Sequence, residues 1–307
     1  MRAAGARQRA GRKRAAGIGE RIVERGLLAS GLFSVVTTAA ILAVLVYETA
    51  GFFGHVSPAR LLLDTQWTPL FSDKHFGIWP LVAGTLLTTL VAVCVALPMG
   101  LLAAIYLSEF APERLRQVLK PALEVLAGVP TIIYGYFALV TLTPFLQRFV
   151  PGLAGFNALS PGLVMGIMII PMVSSLSEDA LRAVPAGVKE GALALGASRL
   201  KVVWKVTVPT ALSGISAAVV LALSRAIGET MIVAIAAGQR PTLTVDPRVP
   251  IETMTAYIVQ VSLGDTPAGT LEYRTIFVVG AALFAMTFCM NVIAQRLGRR
   301  FRGRYES

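Results

Sequence analysis

The stretch ISAAVVLALSRAIGETMIVAIAAG, residues 215–238, decides the class of fold. A helix needs about 20 apolar residues to cross the hydrocarbon core of a bilayer, and this run is long enough. Two of its residues, Arg225 and Glu229, are charged, and all the others are uncharged. Ionisable groups are costly inside a membrane, so they normally face a bundle interior or a water-filled path. The stretch therefore predicts a membrane helix with a functional position near its centre.

The rest of the chain repeats this pattern of long apolar runs separated by clumps of charge. Hydrophobic residues make up 55% of the chain and charged residues only 15%, whereas a soluble domain has about 25% charged residues. The runs are continuous and lack the alternation of barrel strands. We therefore predict an all-α integral membrane protein with about six transmembrane helices. The predicted spans are residues 27–50, 80–107, 121–146, 159–181, 209–237 and 274–296.

The distribution of basic residues predicts the orientation. With the N-terminus inside, 21 of the 28 Lys and Arg residues lie on the cytoplasmic side, six lie outside and Arg225 lies within a span. This bias places both termini in the cytoplasm. We expect a disordered basic tail over residues 1–25, one transmembrane domain over 26–298 and a second basic tail over 299–307. The net charge of +11 is then explained by contact with membrane lipid rather than nucleic acid.

Neither the cysteines nor the histidines form a recognisable metal motif. Cys94 and Cys289 lie in separate apolar runs, and His55 and His75 share one loop without the spacing of metal ligands. We therefore expect no metal site.

The segment between the fourth and fifth spans, residues 182–209, is basic and patterned: RAVPAGVKEGALALGASRLKVVWKVTVP. A first short helix is expected to end at Gly196, which suits the left-handed position after a helix. A second, amphipathic helix is expected to begin at Ser198. Two short helices joined by small residues form a compact knob that suits a groove on another protein.

This segment resembles a known signature. The spacing E-x-A-x3-G-x9-[IV]-x-[LV]-P, from Glu190 to Pro209, is similar to the EAA motif of ABC importer permeases. Gly191 replaces the first alanine, and Val208 replaces a leucine. Four further stretches resemble the phosphate-specific permease of the PstC type, and the likeness covers roughly residues 75–300. They are GIWPLVAGTLLTT (77–89), LEVLAGVPTIIYGYFAL (123–139), MGIMIIPMVSSLSEDALRAVP (165–185) and ALSRAIGETMIVAIAAG (222–238).

The resemblance implies a type I ABC importer permease in the bacterial plasma membrane, forming half of a pathway for inorganic phosphate. It implies three partners: a second, PstA-like permease, a PstB-like ATPase dimer and a PstS-like binding protein, periplasmic or lipid-anchored. The chain contains no G-x4-G-K-[ST] phosphate-binding loop, so it is not expected to be an enzyme or to bind a cofactor. ATP-Mg would belong to the ATPase. The residues expected to couple to that ATPase are Glu190, Gly191, Ala192, Gly196, Ala197, Ser198 and Arg199.

The charged residues of the fifth span are the main candidates for contact with substrate. Arg225 and Glu229 are four residues apart, so an unbroken helix would let them pair. A guanidinium fits phosphate oxygens and stays charged when desolvated, and Glu229 would neutralise it until phosphate arrives. The supporting candidates are Ser224, Thr230, Ser174 and Ser175.

Several alternatives stay open at this stage. Arg225 and Glu229 are equally compatible with a structural ion pair that never touches substrate. The chain is also compatible with a permease for another oxyanion, such as sulfate or molybdate, or with the paired PstA-type subunit. An ion-coupled secondary transporter fits less well, because such proteins usually show two matching halves and none is visible here.

Overall fold

The computed structural model describes residues 2–302, and these form a helical bundle. Its helices are α1 (Arg2–Phe53), α2 (Pro58–Leu63), α3 (Trp79–Ile105), α4 (Glu113–Ala127), α5 (Thr131–Phe137), α6 (Thr143–Gln147), α7 (Leu159–Arg182), α8 (Ala186–Ala194), α9 (Arg199–Val202), α10 (Val208–Ile227), α11 (Met231–Ala236), α12 (Met254–Leu263) and α13 (Leu271–Arg302). Between residues 2 and 302 the only β-pairing consists of two isolated bridges, Trp67–Phe76 and Gly238–Ile251. The predicted all-α class is confirmed.

The number of membrane-spanning segments also matches the expectation. Five helical segments are long and apolar enough to cross a membrane, and the number is six when the bent pair Glu113–Ala127 and Thr131–Gln147 is counted as one span. The bundle has two ends. We call the end that carries residues 182–209 the loop end, and the other the opposite end.

The third span differs from the continuous helix expected over residues 121–146. Glu113–Ala127 and Thr131–Gln147 meet at an angle of 84°. The break falls at Gly128–Pro130, because proline has no N–H to donate and disfavours helical geometry in the residue before it. The first arm, α4, packs against α7, and the second begins with α5, which packs against α11.

The fifth span differs at both of its ends from the predicted 209–237. It begins earlier, since one helical segment runs from Arg199 to Ile227. It also stops earlier, at Gly228, and the chain resumes as α11 at Met231. The charged motif of this span therefore lies at a helix break rather than inside a helix.

Three π turns interrupt the helices, and each stands two residues before a proline. They are Tyr106–Phe110, Ala138–Leu142 and Val203–Thr207, followed by Pro112, Pro144 and Pro209. A proline ring collides with the carbonyl four residues earlier, and that carbonyl falls within the π turn each time. At Ala138–Leu142 and Val203–Thr207 the wider turn lets the helix continue past the collision, whereas at Tyr106–Phe110 the chain becomes extended at Ala111.

Helix α7 is the centre of the bundle, and its most extensive contact is with α3. Glycines allow the two backbones to come close. A Cβ atom at Gly162 would lie 2.8 Å from Val91 Cβ, and one at Gly166 would lie 2.8 Å from the Ala92 carbonyl oxygen. The spacing Gly-x3-Gly is the small-residue pattern that holds membrane helices together by close contact.

Helix α1 lies at the periphery and packs on α13, with Glu48 and Arg274 paired at 3.3 Å. Its backbone is helical from Arg2, and the disorder expected over residues 1–25 remains a prediction. The domain boundaries at residues 26 and 298 remain predictions.

The two long connections at the opposite end both contain structure. Residues 51–79 include α2 and the Trp67–Phe76 bridge. The second connection, between α11 and α13, contains the apolar helix α12.

We expect Gly166→Leu to destabilise the bundle. The added side chain would collide with α3, and overpacking of this kind costs about 1–3 kcal/mol. The matched control is Gly155→Leu, since a Cβ at Gly155 has no neighbour within 4 Å. Thermal unfolding of the detergent-purified variants should show a lower midpoint for Gly166→Leu alone. Equal midpoints for both variants would contradict the close α3–α7 contact.

Candidate functional site

The candidate site is the break between α10 and α11. Ser224 and Arg225 lie in the last turn of α10, Gly228 follows its end, and Glu229 and Thr230 connect to α11. The break lies within the apolar stretch 215–238 of the sequence, so each of its polar groups needs a partner or water.

The Glu229 carboxylate caps the start of α11, the helix that follows the break. Its side chain is buried, and one oxygen accepts hydrogen bonds from the backbone N–H groups of Met231 at 3.1 Å and Ile232 at 3.4 Å. The first N–H groups of a helix have no partner within the helix, and a carboxylate there is stabilised by the helix dipole. The Glu229 carbonyl accepts a hydrogen bond from the Thr255 hydroxyl at 2.7 Å, which fixes the break to α12.

Arg225 has no acidic partner among the described residues. The predicted pair with Glu229 is wrong: none of their charged atoms lie within the 4.0 Å of an ion pair. The spacing of four residues brings side chains together only on an unbroken helix, and α10 ends at Ile227. Arg225 is exposed, and the Met168 sulfur, on α7, lies 4.0 Å from its Nη2. Its charge therefore remains available to a ligand.

The other predicted pathway residues have separate positions. Ser224 donates a hydrogen bond to Asn291 on α13 at 2.9 Å, and Thr230 bonds the Gly228 carbonyl at 3.3 Å. Ser174 is fully buried and its hydroxyl has no hydrogen-bond partner, whereas Ser175 is partly exposed. The structure thus groups Ser224, Arg225, Glu229 and Thr230 at the break and places Ser174 inside the bundle.

The segment 182–209 turns at Gly196 as predicted, but its second helix is not short, because α9 continues through a π turn into α10. The Gly196 N–H bonds the Leu193 carbonyl at 2.9 Å, and the Ala197 N–H bonds the Ala192 carbonyl at 3.3 Å. Together with φ of +81° at Gly196, these bonds form a Schellman motif that ends α8. The Ser198 hydroxyl then accepts a hydrogen bond from the N–H of Lys201 and starts α9.

The knob is exposed on one side and tied to the bundle on the other. Leu195, at its tip, is 90% exposed, and Glu190, Gly191 and Arg199 are also exposed. On the inner side, Lys189 pairs with Glu109, at the end of the second span, at 2.6 Å and bonds the Leu181 carbonyl at 3.2 Å.

A second set of ion pairs fixes α4 to α7 near the same end. The Glu178 carboxylate is fully buried, and Lys120 lies 2.7 Å from it. Arg116 and Arg182 approach it at 3.4 and 3.6 Å. The three cations compensate a charge that would otherwise be too costly to bury.

Comparison with known proteins identifies the family. The model of the family described as "Binding-protein-dependent transport system inner membrane component" matches residues 96–303. The chain belongs to this family. The "Probable ABC transporter permease protein YqgH" of Bacillus subtilis is 34% identical over 80% of this chain and 79% of the relative. The "Phosphate transport system permease protein PstC" of Mesorhizobium japonicum is 31% identical over 92% and 94%.

A solved structure shows the same fold. A chain of a bacterial alginate ABC transporter, crystallised with an alginate pentasaccharide-bound periplasmic protein, has a TM-score of 0.61 at 16% identity. The match covers 90% of this permease and 94% of that chain. The predicted type I ABC importer permease fold is therefore confirmed, and the chain is a multi-pass protein of the inner membrane.

Three residues around the break were not predicted. Asn291 is an amide within an apolar run, which is a signal that the sequence carries. The sequence carries no such signal for Met168 or Thr255, because their role depends on which helices meet at the break.

We expect Glu229→Gln to preserve the stability of the permease and Glu229→Leu to reduce it. The glutamine keeps an oxygen acceptor for the two N–H groups of α11. Leucine leaves buried donors unsatisfied, at a cost of about 1–3 kcal/mol. Thermal unfolding midpoints in detergent would measure the difference. An equally large loss for both variants would show that the negative charge, rather than the cap, stabilises the break.

Proposed function

We propose that this permease forms half of the pathway of an ATP-driven importer of inorganic phosphate. The observation that carries the proposal is the exposed guanidinium of Arg225, which has no acidic partner within the described residues and lies at a break in a membrane helix. The relative from Mesorhizobium japonicum, similar over nearly the whole chain, is named a phosphate transport permease, which supports this substrate over sulfate or molybdate.

Arg225 would act as a transient contact for the anion. A guanidinium offers several N–H donors in one plane and keeps its charge away from bulk water, so it suits phosphate oxygens. Conduction also requires that the anion leaves again. Glu229 does not compete for the guanidinium, because backbone N–H groups hold its carboxylate. A single cation beside the apolar Met168 side chain provides a contact that phosphate can release.

The proposed assembly follows the predicted orientation, with the loop end and both termini in the cytoplasm. A second, PstA-like permease would complete the pathway, and a PstS-like binding protein would deliver phosphate at the opposite end. Two PstB-like ATPase subunits would bind the knob and would hold ATP-Mg. This chain would bind no cofactor of its own.

The structure suggests how the ATPase would act on Arg225. A push on α8 would reach the second span through the Lys189–Glu109 pair. It would also reach α9, which continues through the π turn into α10. The segment Arg199–Ile227 has 29 residues, about 40 Å of helix at 1.5 Å per residue. Its far end carries Arg225, so one continuous rod would link the knob to the anion contact.

Substitution of Arg225 tests the substrate contact. In the reconstituted importer, we expect Arg225→Gln to reduce phosphate uptake at least tenfold, because the anion would lose the charged contact that this chain provides at the break. Arg225→Lys keeps the charge and should retain part of the uptake. In the unsubstituted importer, ATP hydrolysis should be stimulated by the binding protein together with phosphate, and it should not be stimulated by the binding protein together with sulfate. Normal uptake in Arg225→Gln would contradict the proposal, and stimulation by sulfate would reassign the substrate.

Substitution of Gly191 tests the coupling knob. A Cβ at Gly191 has no neighbour within 4 Å in this chain, so Gly191→Leu should fold normally. A bulky group on that face should hold the ATPase away and abolish uptake while the complex stays in the membrane. Full uptake would contradict the docking role of α8.

A pair of substitutions at Gly196 separates bulk from backbone geometry. The φ angle of Gly196 is positive. Asparagine tolerates this left-handed conformation better than most other non-glycine residues, whereas arginine adds both strain and bulk. We expect uptake to be largely retained in Gly196→Asn and lost in Gly196→Arg. Full uptake in Gly196→Arg would show that the turn does not contact the ATPase.

A further inference from the structure

A small pocket at the opposite end of the bundle contains a buried carboxyl that nothing in the proposed mechanism uses. The pocket has a volume of 130 Å³, several times the ~15 Å³ that one water needs. Loop residues 67–71, Gln239–Pro241 and the N-terminal part of α12 line it. Glu252 lies in this lining with 2% of its surface exposed, and its Oε1 has no hydrogen-bond partner.

The lining of the pocket is mostly apolar, and two of its side chains, Arg240 and Gln260, can donate hydrogen bonds. Arg240 lies in its lining, is exposed, and has no acidic partner within the described residues. Gln260 contributes a side-chain amide from α12. Burial raises the pKa of Glu252 to about 8, so at neutral pH its carboxyl is protonated and can donate a hydrogen bond. The lining then offers one positive charge and no negative charge.

We propose that this pocket is an outer binding site for a tetrahedral oxyanion, with Arg240 and Glu252 as its principal contacts. Arg240 would supply charge and paired N–H groups. Glu252 would donate its O–H, as a neutral carboxylic acid in an apolar site does. The choice of inorganic phosphate as the ion rests on the proposed function.

The pocket is connected to the helix break. Glu252 immediately precedes the start of α12, where Thr253 and Thr255 share a hydrogen bond of 3.1 Å. Thr255 in turn donates to the Glu229 carbonyl at 2.7 Å. An anion held at Glu252 would therefore lie on the element that fixes the break, between the outside and Arg225 in the proposed order of transport.

Few other groups can change the charge of this pocket. Arg240 and Tyr257 are the other titratable side chains of its described lining. Helix α3 approaches Glu252 through the backbone at Gly84, which carries no side chain. On α13, Glu272 acts on Tyr257 and is itself paired with Lys74. Burial raises the pKa of the Tyr257 hydroxyl above its usual range, so Glu252 is the acidic group of this lining that titrates near pH 8.

The test measures binding of radiolabelled inorganic phosphate to the full chain in detergent by equilibrium dialysis. Every variant also carries Arg225→Gln, which removes the pathway contact. With Glu252 present, affinity should fall about tenfold for each pH unit above 8, as the proton is lost. Glu252→Gln keeps a hydrogen-bond donor that does not titrate, so it is the matched control. Phosphate changes its own protonation over the same pH range, and this change affects both chains equally. Arg240→Gln should weaken binding at least tenfold at every pH.

The outcomes separate this proposal from the proposed function. Absence of saturable binding in the Arg225→Gln chain would overturn the proposed outer site. The proposed role of Arg225 in transport would still be tested separately, by the uptake measurements on Arg225 variants. Loss of binding in Glu252→Gln at every pH, or identical pH profiles for the two chains, would overturn the role of Glu252. Because Arg240 is exposed, Arg240→Gln should keep the fold, and unchanged binding in that variant would equally contradict the site.

Discussion

The bond between the Glu229 carboxylate and the first N–H groups of α11 is the interaction on which the account depends. A helix broken inside a membrane leaves donors without partners, and each would be costly in hydrocarbon. Glu229 satisfies two of them. The same bond occupies the carboxylate, so the guanidinium of Arg225 is not neutralised from within the motif. Structural stability and an accessible positive charge thus arise from one arrangement.

The rest of the bundle holds this break at a defined position. Helix α7 provides the Met168 contact to Arg225, and close packing at Gly162 and Gly166 fixes α7 against α3. Helix α12 fixes the other side of the break through Thr255. At the loop end, the Lys189–Glu109 pair ties the knob to the end of the second span. The break is therefore anchored on several helices, and α10 carries it as the end of a single rod.

Features encoded by local patterns were predictable from the sequence. Apolar run length predicted six spans, and the glycine position predicted the end of α8 at the knob. The breaks at Gly128–Pro130 and Gly228–Thr230 were not predicted, because the expected spans followed the length of the apolar runs, which extend to both sides of each break. The pairing of Arg225 with Glu229 failed for the same reason: spacing implies contact only if the helix is intact. Helix α12 is too short to be recognised by the length of a membrane span.

The most direct test of the account is a structure of the assembled importer with an oxyanion in the pathway, at a resolution that defines side chains. We predict that the Arg225 guanidinium lies within hydrogen-bond distance of the anion while Glu229 remains bonded to the N–H groups of Met231 and Ile232. A structure in which Glu229 has turned to pair with Arg225, and the anion binds elsewhere, would contradict the account.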